Sequence, residues 1–282
     1  MKKAKPTCIE VQIEGGVALL LLNRPELHNA FNDVMIAELT QAFSGLDCDP
    51  AVRVLILGAR GKSFCAGGDL NWMKRMAGYS FEQNFSDAQA LAEMLHTLNT
   101  MRKPTIARVH GAAYAGGMGL IAACDIAIAA QDAEFCLSEA KIGLSPATIS
   151  PYVIAAMGER QARRYFLTAE RFSAAEAFRI GFVHDIAIPG ELDAKIEELL
   201  RHLLATGPNA VAACKELVRA VAKAKIDRDL ITDTATRIAT IRATDEGREG
   251  VRAFLEKRKP AWAVRPSPAN AAQPKRTAKS PK

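Results

Sequence analysis

The chain has 282 residues, 49% of them hydrophobic, which is enough to bury a core in one large domain or two smaller ones. Its formal charge of +6 is concentrated at one end. The last 18 residues, "RPSPANAAQPKRTAKSPK", carry five Lys or Arg and no acid, leaving 32 basic against 31 acidic residues in the rest. That balance argues against a nucleic-acid-binding body and assigns the basicity to a tail, residues 265–282, expected to be disordered.

The six cysteines (Cys8, Cys48, Cys65, Cys124, Cys136 and Cys214) form no C-x-x-C pair, and several lie inside apolar runs. Reduced, packed thiols in a cytoplasmic protein fit this better than a disulfide framework. "MKKAKPTCIEVQIEGG" has a basic start but no apolar run of the kind a secretory signal needs. No stretch approaches the roughly 18 uninterrupted apolar residues of a membrane span.

"CIEVQIEGGVALLLLNRP" predicts two strands around the Gly15-Gly16 turn, with Pro25 ending the second. In "NDVMIAELTQAFSGL", Val34, Ile36, Leu39, Phe43 and Leu46 recur at helical spacing, with Asn32 or Asp33 as the cap. "VRVLILGA" reads as a buried strand, followed by a glycine turn and a helical stretch from about Ser86 to Met101. "PTIARVHGAAYA" repeats the plan of strand, glycine turn and short helix, and "DIAIAA" and "AEFCLSEA" read as two more strands. From about residue 150 the periodicity and the Ala/Leu/Glu/Lys/Arg content predict helices throughout, in 150–181, 190–205, 209–225 and 227–258. Strands interleaved with helices place the chain in the α/β class.

One stretch, "AYAGGMGLIAACD", could mislead. Gly117, Gly119 and Ala122 spell the dinucleotide fingerprint G-x-G-x-x-A, with Glu139 placed where a ribose-binding acid would be. However, only "LIAACD" separates Gly119 from the next strand, and a crossover needs at least about ten residues. No G-K-[ST] follows either glycine cluster, so there is no P-loop. "FCAGGDL" and "YAGGMGL" instead share a pattern: each follows a strand, carries Ala-Gly-Gly and opens a helix. Without Cβ atoms such turns can come close to a ligand. Side by side they can aim two N–H groups at one oxygen, as an oxyanion hole does.

"LNRPELHNAFN", "GKSFCAGGDL", "KPTIARVHGAAYAGGMGL", "ACDIAIAAQDAEFCLSEAKIGLSPA" and "TAERFSAAEAFRIGFVHDI" occur in the order of the enoyl-CoA hydratase/isomerase (crotonase) family, which the chain resembles over roughly residues 8 to 264. "DLNWM", "SPATISPYV", "GERQARRYFLTAERF" and "EGREGVRAFLEKRKPAW" look most like its bacterial methylglutaconyl-CoA hydratase branch. The resemblance implies an α/β, crotonase-like spiral of ββα units over 1–195 and a helical trimerisation region over 196–264. It also implies trimers or a dimer of trimers. An acyl-CoA thioester would sit in a hole made by the Gly68 and Gly116 amides. Ala66, Asp69, Leu70 and Asn71 match the loop lining the CoA path, and Glu139 matches the acid/base that moves a proton. Coenzyme A would come as part of the substrate, with no other cofactor.

Hydratases of this family use a second glutamate, three residues after the hole-forming glycine. Here that position is Gly119. The resemblance still implies an enoyl-CoA hydratase, adding water to a conjugated enoyl-CoA. The absent glutamate strengthens the alternative, an isomerase in which Glu139 alone shuttles a proton between carbons. Glycine would also leave room for a substrate's own carboxylate or branched chain. A non-catalytic CoA- or RNA-binding scaffold is the reading from another class. The five histidines show no metal spacing, and His110, before the second glycine turn, reads as a packed residue. Cys65 has nothing basic beside it to activate its thiol.

Overall fold

The computed structural model of the protein describes residues 8–263, so the basic tail at 265–282 lies outside the described residues. Ile9–Glu14 (β1) and Val17–Leu22 (β2) pair antiparallel across Gly15 and Gly16. Both glycines have positive φ, +57° and +85°, as a tight hairpin requires. A 3-10 turn at Pro25–Leu27 follows, then Asp33–Cys48 (α1), capped by the Asn32 side chain on the Met35 amide at 2.9 Å.

Val54–Ala59 (β3) is buried at every position. It lies parallel to β2 and to Thr105–Val109 (β4), and β4 in turn lies parallel to Ile126–Ala130 (β6). With Asp185–Ala187 (β9) they make a six-stranded sheet ordered β1-β2-β3-β4-β6-β9. A parallel sheet needs both faces covered. Leu55 and Leu57 face the cluster that holds α1 and Phe81–Thr100 (α3). Val54 and Ile56 face Leu192, Ile196, Leu200 and Leu204 of Leu192–Ala205, the eighth helix. The expected division at 195/196 therefore falls inside a helix that packs on the sheet.

A second, three-stranded sheet consists of Ala112–Tyr114 (β5), Glu134–Cys136 (β7) and Arg171–Ser173 (β8). The remaining helices are Leu70–Met76 (α2), Gly116–Ala123 (α4), Ser150–Met157 (α5), Glu159–Thr168 (α6) and Ala174–Arg179 (α7). After Leu192–Ala205 (α8) come Pro208–Val221 (α9), Arg228–Ala243 (α10) and Asp245–Leu255 (α11). Among the described residues no helix is long and apolar enough to cross a membrane.

The structure corrects several expectations. The long helix starts at Phe81, not near Ser86, because Ser80 and Gln83 form a capping box. "PTIARVHGAAYA" holds two strands of different sheets, and "AEFCLSEA" is a three-residue strand followed by a 3-10 turn at Glu139–Ile142. The stretch 150–181 is not wholly helical, since β8 lies within it, and β9 falls in the gap between the two helical stretches 150–181 and 190–205. Strands of three residues are too short to show a period of two.

Candidate active site

Three chain segments run parallel, side by side, and end at one place. Cys65 bridges to Ala113, and Tyr114 of β5 pairs with Cys136 of β7. Gly68, Gly116 and Glu139 each stand two or three residues past the carboxyl end of one of these segments, where parallel strands gather their ligand-binding loops. The Ala115 amide donates to the Cys136 carbonyl at 2.8 Å and the Tyr114 amide to Cys65 at 2.8 Å, tying the three ends together.

The glycines let two turns cross in contact. A Cβ on Gly67 (φ +96°) would lie 3.2 Å from the Ala115 Cβ, and one on Gly117 would lie 2.7 Å from the Cys65 carbonyl oxygen. Ala115 itself takes φ +47°, ψ −118°, a conformation that costs a non-glycine residue about 1–3 kcal/mol. That elbow turns the chain from β5 into α4 and sets Gly116 as the helix's first residue. Among the described residues, neither the Gly68 nor the Gly116 amide donates to a protein acceptor. Both are thus available to a ligand oxygen.

Sequence reasoning missed Phe31, which joins the two glycines. Its amide donates to the Gly67 carbonyl at 2.7 Å and its carbonyl accepts the Asp69 amide at 2.8 Å, while its ring lies against Gly116. Arg24 and Asn29 were also missed. Asn29 is fully buried at φ +55°, and its side chain donates to the Arg60 and Ser63 carbonyls. The signal was that Arg24 and Asn29 both lie in "LNRPELHNAFN", the first of the segments that carry the resemblance.

Glu139 opens the 3-10 turn that Gly143 closes at φ +76°. Its Oε2 is buried and has no hydrogen-bond partner, and burial pushes the carboxyl pKa up. Ala66 is half-buried, and Leu70 and Asn71 are exposed at the start of α2. The Asp69 carboxylate instead turns inward. It pairs with Arg24 at 2.7 Å and caps α2 through the Asn71 and Trp72 amides. Asp125 is structural: it accepts from the Thr105 amide and hydroxyl and pairs with Lys215 at 2.7 Å. His110 donates from Nε2 to the Gly61 carbonyl at 3.0 Å. Cys65 is buried, which pushes its thiol up to about 12 and leaves it unreactive.

The strand before α4 belongs to the small sheet and the one after it to the large sheet, so the G-x-G-x-x-A stretch is no dinucleotide crossover. Nor does Gly119 leave room for substrate. A Cβ there would lie 2.4 Å from Cγ2 of Ile149, which fills the space.

The model of the family described as "Enoyl-CoA hydratase/isomerase" matches residues 12–265. A crotonyl-CoA hydratase of Syntrophomonas wolfei is 33% identical over 253 residues, covering 89% of this chain and 96% of that one. A short-chain-enoyl-CoA hydratase of Clostridium acetobutylicum is 30% identical over 252 residues, covering 87% and 94%. The crystal structure of an enoyl-CoA hydratase from Shewanella pealeana superposes with a TM-score of 0.88 at 46% identity, covering 90% of this chain and 96% of that one. The chain belongs to the enoyl-CoA hydratase/isomerase family. It is an enzyme with that family's α/β fold, a parallel-rich sheet leading into a helical C-terminal region.

Proposed function

We propose that this enzyme is an enoyl-CoA hydratase, adding water across the conjugated double bond of an enoyl-CoA thioester. The observation that carries this reading is a buried carboxylate oxygen without a partner, on Glu139, beside two turns whose Gly68 and Gly116 amides are free. Water attacks the β-carbon, the π electrons move to the thioester oxygen as an enolate, and the two amides hold that charge. Glu139 takes one proton from the water and delivers a proton to the α-carbon, so the product gains H and OH and the carboxylate is restored. One such oxyanion donor is worth about 3–4 kcal/mol, and a positioned acid/base contributes about 10²–10⁴ in rate.

Coenzyme A arrives on the substrate, and no further cofactor enters the reaction. The relatives named for crotonyl- and short-chain enoyl-CoA suggest a small acyl group, and 3-methylglutaconyl-CoA is the branched candidate. Its methyl, rather than its carboxylate, suits the apolar side chain that fills the Gly119 space. Six unpaired cysteines fit a cytoplasmic location. Homotrimers, or dimers of trimers, would cover α10 and α11, where no residue of α10 is buried and Phe254 and Leu255 are 81% and 72% exposed.

The test follows the absorbance of the conjugated thioester with crotonyl-CoA and 3-methylglutaconyl-CoA, beside the Glu139→Gln variant. Loss of absorbance with the parent and not the variant is expected. A single carboxylate also suits a double-bond isomerase. No loss with either substrate, together with conversion of a 3-enoyl-CoA, would replace hydration by isomerisation.

A further inference from the structure

Gly119 lies one turn along α4 from Gly116, and residues three apart on a helix share a face. The position is glycine for a packing reason. A Cβ there would meet Ile149 Cγ2 at 2.4 Å, Ile149 Cβ at 2.9 Å and Leu95 Cδ1 at 3.6 Å. Ile149 has nowhere to retreat. It is 2% exposed, its branch at Cβ restricts its rotamers, and its carbonyl accepts the Tyr152 and Val153 amides, both at 3.1 Å, as α5 begins. Leu95, on α3, is fully buried beside the same position. The volume one turn past Gly116 is therefore filled by hydrocarbon from the residue that leads into α5.

We infer that Ile149, with Leu95 beside the same position, is the wall that limits the acyl group on the α4 side of the site, and so a specificity-determining residue. The inference rests on the hydratase reading for the identity of the ligand. The wall offers no donor or acceptor. It accepts a hydrogen or a small alkyl branch on the reacting carbons and rejects a charged or hydroxylated one, which would lose its water without compensation. Proton transfer is left to Glu139 on the other side.

The experiment measures Ile149→Val and Ile149→Ala in two ways. The first is kcat/KM for crotonyl-CoA against enoyl-CoAs of growing 3-alkyl branch. The second is Kd for the saturated, unreactive pair butyryl-CoA and isovaleryl-CoA, which reads the wall without turnover. Ile149→Ala is expected to shift both ratios toward the branched acyl group by about tenfold or more, with Ile149→Val between it and the parent. Folded variants whose ratios stay within about twofold of the parent would overturn the inference. Thermal unfolding checks the contact itself. Gly119→Ala lowers Tm by several degrees in the parent and much less in the Ile149→Ala background, because the two side chains compete for one space; equal losses in both would contradict that. If the parent hydrates no conjugated enoyl-CoA, the hydratase reading fails, while the binding ratio still decides the role of Ile149.

Discussion

The Arg24 guanidinium and the Asp69 carboxylate meet at 2.7 Å directly behind the first glycine turn, with side chains only 13% and 7% exposed. Arg24 also donates to the Ala30 carbonyl at 2.6 Å, and Asp69 caps α2, so the pair ties the 24–30 segment to the turn that presents Gly68. Burial alone would raise the Asp69 carboxyl. The Arg24 guanidinium and the Asn71 and Trp72 amides outweigh it and hold the pKa below the usual range. Removing one member of such a pair leaves the other buried and uncompensated. Asp69→Ala should therefore cost about 3–5 kcal/mol in denaturant unfolding. Because the folded pKa is depressed, the pair's contribution is complete above the ordinary Asp value near 3.9 and is lost as pH falls through the lowered one. Asp69→Asn should lose less stability on acidification than the parent, the remaining loss coming from other carboxylates held low, such as Glu176 beside Arg179 and Glu249 beside Arg258.

Ala115 is held at φ +47° between Gly67 and the Cys136 carbonyl. Glycine adopts that conformation without a Cβ penalty, so Ala115→Gly should raise stability by about 1 kcal/mol, after its larger unfolded-state entropy is subtracted. The methyl that limits movement of the Gly116 amide is lost in the same change. A higher Tm with a lower kcat is the expected pair of results. A lower Tm would show that the elbow is not strained.

Long, regular elements were legible from the sequence. α1, β2, β3 and the helices beyond residue 190 each carry several apolar residues at one period, and Asn32 announced its cap. β5, β7, β8 and β9 were not legible as they stand, because three residues cannot show alternation and their pairing is set by partners far away in the chain. At the site, Gly68, Gly116 and Glu139 were named from motif resemblance, and the parallel segments bring them to one end of the small sheet. What lay hidden was tertiary. Nothing in "SPATIS" says that Ile149 fills the space beside Gly119, and nothing in "GGDL" says that Asp69 turns away from the ligand path toward Arg24. Both depend on which helix lands on which loop.

Burial separates the six thiols sharply. Cys48 and Cys214 are exposed, Cys8, Cys65 and Cys136 are buried, and burial drives the half-buried Cys124 thiol far above its ordinary range. The native protein should therefore give two fast-reacting thiols with an aromatic disulfide reagent, and all six after denaturation. A third thiol reacting in the native protein, at Cys65 and in step with inactivation, would contradict a site in which Cys65 only supports the backbone of the first glycine turn.

Glu139 is the group whose titration reports on both stability and rate. Burial raises its pKa, and its own backbone amide offsets this only in part. Between the ordinary Glu value near 4.3 and the raised folded value, the folded state holds more protons than the unfolded one, so stability falls as pH rises through that window. Glu139→Gln should remove this slope. Hydration begins from the carboxylate, so kcat/KM should decline on the acid side with a midpoint above the ordinary Glu range. Glu139→Gln should lower kcat by about 10²–10⁴ with little change in KM. A parent profile with its acid limb at or below the ordinary value would mean that the carboxylate is solvated in the free enzyme. The buried, partnerless Oε2 would then have no part in setting its chemistry.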